Sequence, residues 1–122
     1  MNAAHSSSSN SSGKGAYFET VAVEYLQQQG LSLFARNVSC RFGELDLICQ
    51  QQKQWVFVEV KYRQNNFFGG AAAAVTPQKQ QKLRQTAAWF LQQQHSQAGC
   101  RFDVVAISGD SPYQIEWIKN AF

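Results

Sequence analysis

The sequence predicts an α/β fold, a mixed sheet flanked by helices, with its elements in the order αβββαββ. Three observations predict it. Apolar residues recur with helical spacing in two segments, residues 14–29 and 77–94. Between and after them lie short alternating or continuous apolar runs separated by polar turns, the pattern of strands. A chain of 122 residues also fits one domain with a core of its own.

Residues 1–13 are rich in serine and hold no apolar segment, so a disordered tail is expected rather than a secretory signal. A single domain then occupies residues 14–122. The first helix spans residues 14–29 and is stopped by Gly30. Phe18, Val21, Ala22, Tyr25 and Leu26 form its apolar face. Glu19 lies on the margin of that face and turns toward the core, whereas Glu24 points to solvent. Residues 31–37 read as a first strand, and Arg41, Phe42 and Gly43 as a turn. Residues 44–49 alternate, placing Leu45, Leu47 and Cys49 on one side and Glu44, Asp46 and Ile48 on the other.

After a polar hairpin loop, residues 55–62 are the strongest strand of the chain. Trp55, Phe57, Glu59 and Lys61 share one face of it; Val56, Val58, Val60 and Tyr62 share the other. Residues 64–75 form a loop carrying Phe67 and Phe68. Thr76 and Pro77 start the second helix as N-cap and first helical residue. That helix buries Leu83, Ala87, Phe90 and Leu91. Residues 102–107 are a fourth strand, 109–112 a turn, and 113–118 a fifth strand at an edge.

No apolar run approaches the roughly 20 residues of a membrane helix. Cys40, Cys49 and Cys100 are odd in number and lack CxxC spacing, which predicts free thiols in a reducing cytoplasm. The net charge is only +3. If Glu19, Glu44, Asp46 and Glu59 gather in one site, however, the remaining surface is strongly basic and suited to a polyanion.

Asp46, Glu59 and Lys61 stand in otherwise apolar strands, where a charge costs several kcal/mol unless paired or neutralised. They can neutralise one another, or hold a divalent cation beside a phosphate. Hydrolysis of a phosphodiester needs an activated water and neutralisation of the charge that develops on phosphorus. Carboxylate oxygens hold Mg²⁺ or Mn²⁺ for that purpose, and a nearby lysine orients the water or stabilises charge. A Glu-x-Lys on one strand sets both groups on one face, and an Asp on the neighbouring strand supplies a second ligand. The arrangement requires Asp46 to stand opposite an odd-numbered residue of the third strand, because a slip of one residue sends it to the other face.

Asp46 followed by Glu59-Val60-Lys61, within this element order, resembles the restriction-endonuclease-like superfamily. More closely, the GELDLI and VFVEVKYR runs, with Glu19 upstream and RFDVV downstream, look like the YraN-like family of uncharacterised bacterial proteins. That family is related to archaeal Holliday junction resolvases. The resemblance implies a nuclease acting on branched or damaged DNA with Mg²⁺ or Mn²⁺, and a homodimer. It implies Glu19, Asp46, Glu59 and Lys61 as the catalytic set. The cation would lie on Asp46, Glu59 and the Val60 carbonyl, with Glu19 completing the shell.

Plainer readings stand beside these. Glu59 and Lys61 could be an ordinary pair on an exposed face, although Trp55 and Phe57 on the same face argue against it. Glu44 could support Asp46 from behind the metal ligands or be a solvated acid. Arg36, Arg41 and Arg63 could hold phosphates or be surface arginines, and Lys79 could meet a nucleic-acid backbone. Asp103 follows the strand alternation among apolar residues and could bind a core-side arginine, with no role assigned to it. The competing class is a nucleic-acid-binding or adaptor protein that keeps the fold without turnover.

Overall fold

The computed structural model describes residues 13–65, 67 and 69–122. Most of the expected tail, and Phe68, lie outside the described residues. Helix α1, Lys14–Gln28, ends as Gly30 requires. Gly30 has φ +99°, its N–H donates to the Gln27 carbonyl, and the Leu31 N–H donates to that of Leu26. This paired closure satisfies carbonyls that the helix leaves open and seats Leu31 in the core beside Leu26. Strands β1 (Ser32–Cys40), β2 (Gly43–Gln51) and β3 (Gln54–Arg63) form an antiparallel meander. A short 3-10 turn, Ala72–Ala74, leads into helix α2, Pro77–Gln93. Strand β4 (Cys100–Ser108) then pairs parallel with β3, and β5 (Gln114–Ile118) pairs antiparallel with β4. The five strands lie side by side in chain order, so the α/β class and the expected element order both hold.

Each face of the sheet is covered by one helix. Phe18, Ala22 and Leu26 of α1 pack on Leu47, Val56, Val58 and Val105. Leu83, Ala87 and Phe90 of α2 pack on Ile48, Phe57 and Val104. β3 is apolar on both faces because both are covered. Its odd-numbered residues face α2 and its even-numbered ones face α1.

One expectation fails. Leu45 does not share a face with Leu47 and Cys49; it packs on the α2 side with Ile48 and Phe57. The alternation of β2 breaks at Asp46. The facing strand breaks at the same level, since Arg36 and Asn37 both reach α1 while Ala35 and Val38 pack toward α2. Asn37 has φ +54°, a left-handed conformation that Asn tolerates better than most residues. Both strands swap faces together, so the pairs on either side, Arg36 with Leu47 and Val38 with Leu45, keep their register.

The sheet also divides here. The ladder between β2 and β3 ends at Leu47 and Val58. Beyond it β2 pairs only with β1, through Leu45, Glu44 and Gly43, while β3 pairs only with β4, from Glu59 to Arg63. The register carried one step further sets Asp46 opposite Glu59, the odd-numbered partner that the site requires.

Candidate active site

Asp46 occupies the crotch of this fork. Its Oδ2 accepts a hydrogen bond from the Val60 N–H at 3.0 Å, which serves a backbone donor just past the end of the ladder. Burial first, and then the neighbouring Glu59, push the Asp46 acid up to about 7, against the Val60 N–H and the Lys79 charge, which pull it down. Glu59 is 3% exposed and stands on the α2 face. Its Oε2 is buried without a well-formed hydrogen bond and faces the Lys79 ammonium at 3.2 Å. Two acids thus share a poorly hydrated space, which opposes their being charged together.

Glu19 enters from the α1 side and is buried, as its place on the helix predicted. Its Oε1 accepts from Asn37 Nδ2 at 3.1 Å and lies 3.5 Å from the Arg36 guanidinium. Burial raises its acid above the ordinary range; Asp46 adds to that, and Asn37 and Arg36 oppose it. The kink at Asn37 therefore has a use, since it brings the side-chain amide of a strand residue onto a helix carboxylate.

Lys61 lies half-buried, two residues beyond Glu59. Burial and the adjacent Lys79 lower its ammonium below the ordinary lysine value, against the pull of Glu59 and Asp46. For Lys79 the balance is reversed. Burial, the largest single influence, lowers it, but Glu59 and Asp46 together raise it above the ordinary value. A cleft of about 420 Å³ opens where these groups meet, lined by Lys14, Glu19, Asp46, Val60, Lys61 and Lys79 among others.

The structure thus lines the cleft with Glu19, Asp46, Val60 and Lys61, and sets Glu59 beside it, against Asp46 and Lys79. The other candidates disperse. Arg36 is held by α1, donating to the Ala16 carbonyl at 3.1 Å and to Thr20 Oγ1 at 3.1 Å. Arg41 lies over the Phe42 ring on a separate groove of about 730 Å³ that also includes Cys40 and Trp89. That groove is larger than the cleft but brings no acid to bear on a base. Arg63 is exposed and covers the Phe67 ring at 5.6 Å, near enough to influence Lys61. Glu44 stands opposite Ser39 in the β1–β2 ladder and does not line the cleft. Lys79 does line it, though as the partner of Glu59.

Asp103, unassigned from sequence, is fully buried and satisfied. Arg101 Nε donates to it at 3.0 Å, Trp117 Nε1 at 2.9 Å and the Asn120 N–H at 2.9 Å. It ties β4 to β5 and the segment beyond, and does not line the cleft. The cysteines are free thiols, as expected. Among the described residues no helix is long and apolar enough to cross a membrane.

The model of the uncharacterised protein family UPF0102 matches residues 18–107, a span that includes every acid and lysine of the cleft except Lys14. A UPF0102 protein of Shewanella loihica is 47% identical over 109 residues, covering 89% of this chain and 93% of its own. One of Nitrosomonas europaea is 47% identical over 114 residues, covering 93% and 97%. One of Shewanella sediminis is 41% identical over 104 residues, covering 85% and 86%. The resemblance read from the GELDLI and VFVEVKYR runs points to this same family.

Proposed function

The chain belongs to the uncharacterised protein family UPF0102, and we propose that it is a metal-dependent nuclease hydrolysing phosphodiester bonds in DNA, branched or damaged duplex included. The observation that carries this reading is the fork in the sheet, which sets Asp46 and Lys61 on one cleft with Glu59 buried against Asp46 beside it. Two mutually repelling carboxylates, one with a buried oxygen lacking a good hydrogen bond, make a donor set that a hard cation would relieve.

The residues fit a cation that takes one or two protein carboxylates and leaves its other positions to water and phosphate, as Mg²⁺ and Mn²⁺ do. Among the described residues no three His, Cys, Asp or Glu side chains are grouped to hold an ion by themselves. Asp46 and Glu59 would hold the cation with the Val60 carbonyl, and Glu19 would lie behind them. The cation would neutralise phosphate charge and acidify an attacking water.

The chain's own groups do the rest. The Val60 N–H fixes the Asp46 carboxylate in one orientation. The Lys61 ammonium, on the same face as Glu59, donates to a phosphate oxygen or to the attacking water. Lys14, exposed at the start of α1 and 5.0 Å from the Tyr62 ring, offers a charge for a neighbouring phosphate. Symmetric cutting of two strands needs two such clefts, so a homodimer on DNA is part of the proposal.

Labelled single strand, duplex, flap, four-way junction and RNA, incubated with Mn²⁺, with EDTA and with Lys61→Ala protein, test the reading. Cleavage of a DNA substrate should require Mn²⁺ and fall at least about 100-fold in the variant. Cleavage that persists in EDTA or in the variant would refute it. The competing reading, binding without turnover, is favoured by the Lys79 ammonium standing on Glu59. Tight DNA binding with no cleavage in any metal would select it.

A further inference from the structure

Glu59 and Lys79 are unequal partners. The Glu59 side chain is 4% exposed and stands on a strand fixed by β4, whereas that of Lys79 is 46% exposed and reaches in from α2 on a flexible stem. The Lys79 Nζ, 3.2 Å from Glu59 Oε2, also feels Asp46 and Lys61. The four groups are two acids and two bases, so the cluster can balance its charge without any ion. A divalent cation on the carboxylates would compete with the Lys79 ammonium for the same oxygen. With Lys79 still in place, the cleft would carry excess positive charge in a poorly hydrated space. A phosphate backbone arriving with the cation removes that excess.

We propose that Lys79 is a displaceable counter-ion, which neutralises Glu59 in the free protein and passes to a nucleic-acid phosphate when a divalent cation takes the carboxylates. This rests on the nuclease reading. Its consequence is reciprocal coupling, in which each of cation and nucleic acid tightens the binding of the other. Lys61 is not interchangeable with Lys79 here, because it lies on β3 itself and cannot leave the cleft with a helix stem.

Mn²⁺ titrations followed by paramagnetic resonance of the free ion, with and without a short duplex, test the idea. Asp46→Ala protein with the same duplex supplies the background. For wild-type protein the Mn²⁺ Kd should fall at least about tenfold when the duplex is present. Lys79→Met should bind Mn²⁺ alone at least about fivefold more tightly than wild type, and the duplex should then change its Kd by less than about threefold. Without metal the variant should melt below wild type, and saturating Mn²⁺ should raise its melting temperature by more.

Unchanged or weaker Mn²⁺ binding by Lys79→Met would overturn the counter-ion role. If that variant does not fold, the wild-type titrations decide alone, and a Kd indifferent to duplex overturns it. If neither protein binds Mn²⁺ under any condition, the nuclease reading fails as well. Binding that is metal-tight but equal in both proteins removes only the role of Lys79.

Discussion

Burial and the neighbouring Glu59 push the Asp46 acid up to about 7 from its ordinary 3.8, even with the Val60 N–H favouring the charged form. In the unfolded chain Asp46 titrates near its ordinary value. Between about pH 4 and 7 the folded protein therefore keeps a proton that the unfolded chain has released. Raising the pH through that window removes stability, by up to about 1.4 kcal/mol per pH unit. Glu19, also raised, acts in the same direction. Asp46→Asn keeps an oxygen for the Val60 N–H but has no proton to lose. Urea unfolding at pH 5 and pH 8 should thus show a larger loss for wild type than for Asp46→Asn. Equal losses would mean that the site does not strain the Asp46 charge.

Asn37 joins backbone and side-chain demands at one position. Its φ of +54° suits few residues, and its amide donates to the buried Glu19. Asn37→Ala should cost about 1–3 kcal/mol, from left-handed strain plus a weakened hydrogen-bond set on a buried acid. Asn37→Gly relieves the strain and loses only the hydrogen bond, so chemical denaturation should place it between Ala and wild type. The reverse order would assign the conformation no importance.

Helix α2 owes its position to two local devices. The Thr76 hydroxyl accepts from the Lys79 N–H at 3.2 Å, capping the turn that carries Lys79. Thr76→Ala should lower stability by about 1 kcal/mol in equilibrium denaturation. Further along, the β1–β2 turn meets the helix at Gly43, where a Cβ would lie 3.3 Å from Thr86 Oγ1. Gly43 has φ +154°, so it combines a conformation other residues rarely adopt with a close approach.

Such features were legible because they are local. Thr76-Pro77 announces a helix start, and a period of two places Glu59 with Lys61 on one face of β3. The helical period turns Glu19 inward. The parity linking Asp46 to Glu59 could be stated as a condition from sequence, and the hairpin meets it. The face swap at Asn37 and Asp46 was not legible, since a left-handed residue in mid-strand leaves no periodic trace. Nor was the Glu59–Lys79 ion pair, which depends on how the crossover from β3 to β4 lays α2 on the sheet. Asp103 shows the same limit. Trp117 and the Asn120 N–H reach it only after β5 has docked on β4.

The charge of the chain acquires meaning from this arrangement. A net +3 is a weak hint of polyanion binding. Folding, however, sets Asp46 and Glu59 together at the fork, holds Glu19 on the α1 side of the cleft, and spreads Lys14, Lys61 and Lys79 along that cleft, with Arg63 at the end of β3. Arg36 is withdrawn onto α1. If three or four of the available cations meet phosphates, the affinity for duplex should fall with salt along a log–log slope of about −3 to −4. Lys14→Ala isolates one of them. Lys14 is exposed and its ring contact with Tyr62 is peripheral, so stability should change little, while the slope becomes shallower by about one. Asp46→Ala removes an acid from the cleft, so without metal it should bind duplex at least as tightly as wild type. Fluorescence anisotropy from 50 to 300 mM salt reads both variants. A slope unmoved by Lys14→Ala, together with weaker binding by Asp46→Ala, would place the nucleic acid on some other face of the protein.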